Sequence, residues 1–530
     1  SASSLHRELP PLQTKPIEES DRLTPLVEDD PASFDLVVLG HDDWKVYSLE
    51  RRSELMFSRE HLAEIFADPS LMLRFTSFLS KSRPQAIPML IYYLDSLKAI
   101  SAINYANAVA EALEPIHGFD FTEHPARPTV NSILEEKSQL AFDALVKDEL
   151  PAYITHVFIQ YVSVSIQRRI TGTLPPHLRD ASEGLAEVFC LTDPSRPDNP
   201  IVFASEEFHR TTQYGVSYAI GRNCRFLQGP RTNPFSTQRI RAALEEQREI
   251  SEVFLNYRRD GSPFMNLLMI APLFDSRGKL RYFIGAQVDV SGLVKDCTDL
   301  EALQKLLIKH EAVANGEEPE EVEKKDEFQE LSEMLNSTEL DIVRKYGGKM
   351  HREQEEEMEE NFNAHRPRLL LKEPSPTPDL NNINRVTFNP TKTSGKLQGI
   401  YQNYLLVRPY PSLRILFASP SLRVPGMLQS PFLARIGGSP RVRDELTAAL
   451  ASGRGVTAKV RWLPTPVGAR YTAEALNDSN FAAQGDVGRT RWIHCTPLLG
   501  HNGAVGVWMV VLIDEEGAEP RRRFRTAPPV

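Results

Sequence analysis

The octapeptide Gly221-Arg222-Asn223-Cys224-Arg225-Phe226-Leu227-Gln228 places a thiol in a short helical turn flanked by an amide, a guanidinium and a second amide. A lone buried cysteine usually behaves as an inert small hydrophobe. Polar neighbours of this kind make sense when they face a polar ligand. Arg225 and Arg241 can clamp a phosphate through charge-assisted hydrogen bonds. Asn256, Asn266 and Gln287 fall on three successive predicted strands, where amides can pair with the edge of a heteroaromatic ring.

Outward from that turn the texture is β-like. Between Glu187 and Asp289 the runs VFCLTD, PIVFAS, VFLNYRRD, FMNLLMIAPLFD and LRYFIGAQVDV alternate with turn signals and short helical pieces. The pattern predicts an antiparallel sheet with helices on one face. Upstream, from about Glu54 to Ile170, apolar residues recur three and four apart, as in Ser58-Arg-Glu-His-Leu-Ala-Glu-Ile-Phe and Leu71-Met-Leu-Arg-Phe-Thr-Ser-Phe-Leu. That is the period of core-facing helices. Downstream, residues 300–362 read as a long acidic helical stretch, Pro374-Ser-Pro-Thr-Pro as a linker, and 398–516 as mixed α/β ending in the strand Val505–Asp514. The expected fold class is multidomain α+β. Its parts are a polar tail (1–33), an all-α domain (34–172), the sheet domain (180–296), a helical connector (297–372), a linker (373–397), an α/β domain (398–516) and a second tail (517–530).

A length of 530 residues suits about three domains. The net charge of -10 argues against a protein that coats nucleic acid, which needs a large basic surplus. The charge is unevenly spread. Residues 385–530 hold 19 Lys and Arg against 9 Asp and Glu, which leaves -20 for residues 1–384. No stretch reads as approaching the ~20 apolar residues that span a bilayer, and the first residues show no apolar secretory signal. Cys190, Cys224, Cys297 and Cys495 lie far apart without metal-ligand spacing, which predicts free thiols, a reduced intracellular setting and no metal.

The octapeptide resembles the signature of LOV domains, flavin-binding blue-light sensors of the PAS superfamily. The resemblance continues through Thr192-Asp-Pro-Ser-Arg-Pro-Asp-Asn-Pro-Ile-Val-Phe-Ala-Ser, Asn256-Tyr-Arg-Arg-Asp-Gly-Ser-Pro-Phe-Met-Asn and Ile284-Gly-Ala-Gln-Val-Asp-Val-Ser, and covers roughly residues 183–295. It implies that Cys224 forms a reversible, light-induced thioether to flavin C4a. It implies too that Asn223, Gln228, Asn256 and Asn266 hydrogen-bond the flavin, while Arg225 and Arg241 hold its phosphate. Gln287 would contact flavin O4 and N5 and rearrange when N5 takes a proton. The short segment Gly229–Gln238 has no insertion of the kind associated with an adenine moiety, so the implied cofactor is FMN rather than FAD. Met265 departs from the resemblance, standing where many relatives carry an aromatic residue.

Residues 54–165 resemble RGS domains, helical modules that accelerate GTP hydrolysis by Gα subunits. Ala141-Phe-Asp-Ala-Leu-Val-Lys-Asp-Glu-Leu-Pro-Ala-Tyr-Ile is similar to that family's late-helix motif, with its Lys-Asp-x-x-Pro core. Pro128-Thr-Val-Asn131 resembles the loop that offers an asparagine to Gα, which implies Asn131 as a Gα contact. The family's Glu-Asn-x-x-Phe-Trp segment is replaced by Arg83-Pro-Gln-Ala-Ile-Pro-Met-Leu-Ile-Tyr-Tyr, in which Tyr92 and Tyr93 can keep the packing role while the polar pair is missing. A working accelerator and an inert helical scaffold both stay open, because the catalysis depends on holding the GTPase switches in place. No catalytic turnover of the chain's own is expected.

After Ser291, the segment Gly292–Ile308 stands where the helix following a LOV sheet begins, and its release in light is the family's ordinary mechanism. Further on, Leu331, Met334, Leu335, Leu340, Ile342, Val343 and Tyr346 form an apolar set beside the basic Arg344, Lys345, Lys349 and Arg352. Such a helix can lie in an anionic membrane interface or pack on a neighbouring domain. The RGS–LOV order, followed by a domain of unknown role, resembles fungal photoreceptors that light recruits to anionic phospholipid. The resemblance implies a protein that is cytoplasmic in the dark. In blue light it would bind inner plasma-membrane lipid through Arg344, Lys345 and Lys349, with support from the basic C-terminal region, and bring the RGS domain near G proteins. The alternative is a light-switched regulator of Gα without direct lipid contact. Tyr404-Leu-Leu-Val-Arg-Pro and Leu413-Arg-Ile-Leu-Phe-Ala-Ser-Pro predict a PAS-like C-terminal domain, and no nucleic-acid partner is expected.

Overall fold

The computed structural model describes residues 47–122, 127–174, 185–275, 278–314, 327–336, 396–463 and 488–514. Arg344, Lys345 and Lys349, the Pro374 linker and both expected tails lie outside the described residues. The chain divides into two compact units, one drawn from residues 55–153 and 300–391, the other from 1–54, 154–299 and 392–530.

The first unit is helical. Arg59–Ala67 starts at Ser58, whose hydroxyl accepts from His61 N, and Pro69–Ser82 starts at Asp68, whose carboxylate accepts from Ser70 N at 2.9 Å. These caps satisfy amides that a helix start leaves orphaned. Ile87–Glu111 follows, and Ser132–Ala144 runs through a π turn, Leu145–Glu149, into Leu150–Thr171. Aromatic side chains fill the centre: Phe75 packs edge-on to Phe66 and Tyr153, and Tyr93 lies 5.0 Å from Phe142 between centroids. Tyr93 therefore packs as the sequence reading allows, whereas Tyr92 is exposed, a correction set by its place on the outer face of its helix.

Glu301–Ala314 and Glu327–Met334 also belong to this unit. The first buries Ala302, Leu303 and Leu306, and Arg74–Glu301, Lys305–Asp68 and Lys309–Glu64 ion pairs at 2.7–2.8 Å border the contact. Exposed pairs of this kind contribute about 0–1 kcal/mol each, so the buried apolar residues carry the docking. One expectation is corrected by the stretch Pro84–Glu111, which is long and apolar enough to cross a bilayer by length and composition alone, a test that core helices also pass. Asp95 and Lys98 interrupt it, which hides it from a search for unbroken apolar runs.

The second unit is built on one sheet. Five strands, β1 (Glu187–Thr192), β2 (Ile201–Ser205), β3 (Ile250–Tyr257), β4 (Pro263–Phe274) and β5 (Leu280–Asp289), coincide with the five β-like runs of the sequence. They lie antiparallel in the order β3-β4-β5-β1-β2. The β3–β4 turn uses Asp260, which accepts from Ser262 N, and Gly261 at φ 82, the Asp-Gly chemistry that a tight hairpin favours.

The C-terminal strands are β6 (Tyr404–Val407), β7 (Ile415–Ala418), β8 (Ile436–Gly437), β9 (Val456–Trp462), β10 (Arg489–Leu499) and β11 (Val505–Asp514). Apart from the short β8, their order β9-β10-β11-β6-β7 repeats the order of the first five. Trp508, Phe432 and Ile415 centre a separate apolar core there. Beyond the end of β9, β2 pairs with the same strand β10 through Ser205↔Leu498 and Ala204↔Leu499, so the two five-strand sets form one continuous sheet. At the seam, Glu187 accepts from Tyr401 Oη at 2.6 Å and from Arg169 at 2.5 Å.

Candidate functional site

The sheet register builds the site. Phe254 faces Asn266 across β3 and β4, Leu268 faces Gln287 across β4 and β5, and Gly285 faces Cys190 across β5 and β1. Alternation along each strand then puts Asn256, Asn266, Gln287 and Cys190 on one face. The same alternation turns Met265, fully buried and paired with Leu255, to the opposite face, so its departure from the family pattern falls outside the cavity lining.

Over that face closes a cavity of about 110 Å³, roofed by the Cys224 turn and by Ile240 and Leu244 of the helix Pro234–Glu245. Leu227, Phe254, Leu268 and Ile270 give it apolar walls. Along one edge runs a line of amides. Asn266 Nδ2 donates to Asn256 Oδ1 at 2.9 Å and to Gln287 Oε1 at 3.2 Å, and Gln287 Nε2 donates to Cys190 Sγ at 3.7 Å. Asn266 Oδ1 is buried without a partner, and so is Oδ1 of Asn199, another lining residue. Buried polar atoms are normally satisfied, so acceptors left open beside a cavity mark a place for a donor-bearing ligand.

Cys224 opens the short 3₁₀ turn Cys224–Leu227. Asn223 caps that turn, accepting from Arg225 N, while its Nδ2 donates to Asp198 O at 2.7 Å. Gly221, at φ 92, lets the chain double back so that Gly221 and Arg222 pair with Ile201 of β2. The neighbouring Cys190 sulfur, together with burial, holds the Cys224 thiol well above the ordinary thiol range. A neutral thiol is thus presented to the cavity, in contrast to the activated thiolates of cysteine nucleophiles that act in the dark.

The expected residues divide into groups. Asn223, Cys224, Arg225, Gln228, Asn256, Asn266 and Gln287 all line the cavity. Arg225 also forms a bidentate ion pair with Asp198. Arg241 sits exposed on the helix whose Ile240 and Leu244 face the cavity, and is not itself a lining residue. Asn131 is far from this site in sequence and has a local job: its Oδ1 caps Ser132–Ala144 by accepting from Leu134 N at 3.1 Å. Sequence reasoning passed over Cys190 and Asp198. The alternation in VFCLTD already put Cys190 and Val188 on one side of the strand, but only the pairing with Gly285 shows which side meets the cavity.

Residues 187–292 match the family described as PAS domain. Over 122 residues, 23% of this chain, the sequence is 45% identical to phototropin-2 of Oryza sativa subsp. japonica and covers 14% of that protein. A blue-light-activated histidine kinase of Brucella anthropi is 41% identical over 117 residues, 22% of this chain and 24% of the kinase. Among solved structures, the light state of the blue-light photoreceptor Aureochrome1 LOV is 43% identical, covering 21% of this chain and 90% of that one, with a TM-score of 0.20. The chain spans less than a quarter of the length of these two curated relatives. Residues 187–292 are a PAS domain of the LOV kind found in blue-light photoreceptors.

Proposed function

We propose that this protein is a blue-light photoreceptor that holds FMN in the cavity beneath Cys224. The observation that carries the reading is the amide line Asn256–Asn266–Gln287, ending at Cys190 in a cavity that Cys224 also lines, enclosed by apolar walls. A flavin ring system is flat, apolar on both faces and lined with donors and acceptors along its pyrimidine edge, so walls and edge both fit it. The open acceptor of Asn266 supports the same fit. Gln228 and Arg225 also line the cavity, and Arg225 lies within the turn itself. Arg241 is free to meet a phosphate outside the lining.

A bound flavin supplies absorption of blue light and, once excited, a ring carbon that takes up a thiol reversibly. Cys224 is the residue that offers the thiol, held neutral until then. Gln287 accepts from Asn266 and donates toward Cys190, so a flip of its amide reverses both contacts. That change reaches the end of β5, where Asp289 pairs with Arg258 at 2.6 Å and accepts from Ser291, the first residue of the helix Ser291–Lys295.

The output we propose is relocation to anionic phospholipid of the inner plasma membrane, carrying an RGS-like helical region toward G proteins. The basic surplus of residues 385–530 and the basic, apolar sequence around Arg344, Lys345 and Lys349 support it. Co-sedimentation with liposomes of phosphatidylcholine and phosphatidylserine, in darkness and under blue light, tests it. More protein should pellet in light, and neutralising those three residues should remove the difference. Equal pelleting in both states rejects relocation in favour of direct regulation of Gα.

A further inference from the structure

Cys190 is a second sulfur in the cavity, and the structure is shaped around it. It is buried on β1 with 2% of its surface exposed, and it lines the same cavity as Cys224. Its sulfur accepts from Gln287 Nε2 at 3.7 Å, and Cys224 packs against the same apolar cluster and lines the same cavity. Gly285 leaves it room, because a Cβ there would stand 2.9 Å from Cys190 Sγ. A purely apolar side chain at this position would accept nothing. The sulfur is thus an acceptor for the amide, with the Cys224 thiol beside it in the cavity.

We propose that Cys190 is a positioning residue, whose sulfur orients the Cys224 thiol, couples it to the Gln287 amide, and so sets the lifetime of the light-formed state. This rests on the reading of Cys224 as the light-reactive thiol. Before illumination, the Cys224 S–H points at Cys190 and occupies one orientation. After the thiol has reacted, Cys190 has lost its donor from Cys224, and the flip of Gln287 turns the amide oxygen toward the sulfur in place of Nε2. Return to the dark state restores that bond, and removing the acceptor changes the rate of return.

The test compares the full-length, flavin-loaded chain with Cys190→Val, Cys190→Ala and Cys190→Ser. One readout needs no light: the infrared S–H stretching band of Cys224 in the dark protein, assigned as the band that Cys224→Ala removes. The second is the rate of dark recovery of flavin absorbance. In Cys190→Val and Cys190→Ala the band should move to higher wavenumber, toward a free S–H. Recovery should change by about two- to fivefold, the rate equivalent of about 0.5–1 kcal/mol for a weak hydrogen bond. Cys190→Ser, which keeps an acceptor, should lie closer to the parent in both. If Cys190→Val fails to fold, the alanine and serine variants read the same band. An unmoved dark band together with recovery within twofold of the parent overturns the positioning role. A moved band with no light-induced bleaching overturns the photoreceptor reading and leaves the sulfur–thiol contact standing.

Discussion

Asn266 on β4 donates from Nδ2 to Oε1 of Gln287 on β5 at 3.2 Å, and the same nitrogen serves Asn256 on β3. One side chain therefore holds two acceptors of the cavity edge. Asn266→Leu strands both acceptors, whereas Gln287→Leu frees only one hydrogen of Asn266. Leaving a buried polar group unpaired costs about 1–3 kcal/mol. Urea unfolding of the flavin-free protein should therefore rank the variants parent, Gln287→Leu, Asn266→Leu in falling stability. The flavin fraction retained through purification should fall most in Asn266→Leu.

Packing around Cys190 makes a second prediction. Gly285→Ala drives a methyl group against Cys190 Sγ, and overpacking of this kind costs about 1–3 kcal/mol. The double variant Cys190→Ala, Gly285→Ala moves the volume from one strand to its partner. Its melting temperature should recover most of what Gly285→Ala loses, a coupling that independent sites would not show.

The helical unit should respond to acid through His61. This side chain is fully buried; Nδ1 donates to Met56 O at 2.7 Å and Nε2 has no partner. Burial pushes its pKa below the ordinary histidine value, so the folded state keeps it neutral. The unfolded chain takes up a proton near pH 6.5, so the stabilisation is present above that pH and is lost as pH falls toward the lower folded value, at up to about 1.4 kcal/mol per pH unit. Urea melts between pH 7.5 and pH 5 should show that loss, and His61→Gln should flatten it.

Asn131 offers a way to separate capping from contact. Asn131→Ala should destabilise the helix Ser132–Ala144 by about 0.5–2 kcal/mol, while Asn131→Ser retains a cap and most of the stability. If the residue also meets Gα, Asn131→Ser should lower GTPase acceleration in single-turnover assays at unchanged stability. Equal acceleration by parent and Asn131→Ser leaves Asn131 with the capping role alone.

Much of the sheet and site was legible because strand alternation and the octapeptide carry local information. The five β-like runs became β1 to β5, and the amides of Asn256, Asn266 and Gln287 share one face because strand pairing brought residues of one parity together. Long-range pairing was not legible. Nothing in PIVFAS announces that β2 meets β10 near Leu498, some 300 residues downstream, and nothing in VFCLTD announces that Cys190 lies opposite Gly285. The helix Glu301–Ala314 reads as connector by its charge, yet Ala302, Leu303 and Leu306 dock it into the helical unit. Arg225 reads as a phosphate clamp by its charge, and the structure adds Asp198 as its partner.

The most direct test of the central claim is the absorbance of purified, full-length protein under blue light, followed through recovery in darkness. The protein should hold a flavin whose visible absorbance is lost on illumination and returns in the dark, with Cys224→Ala keeping the flavin and losing the change. A protein that binds no flavin, or a bound flavin that bleaches alike in the parent and in Cys224→Ala, would contradict it.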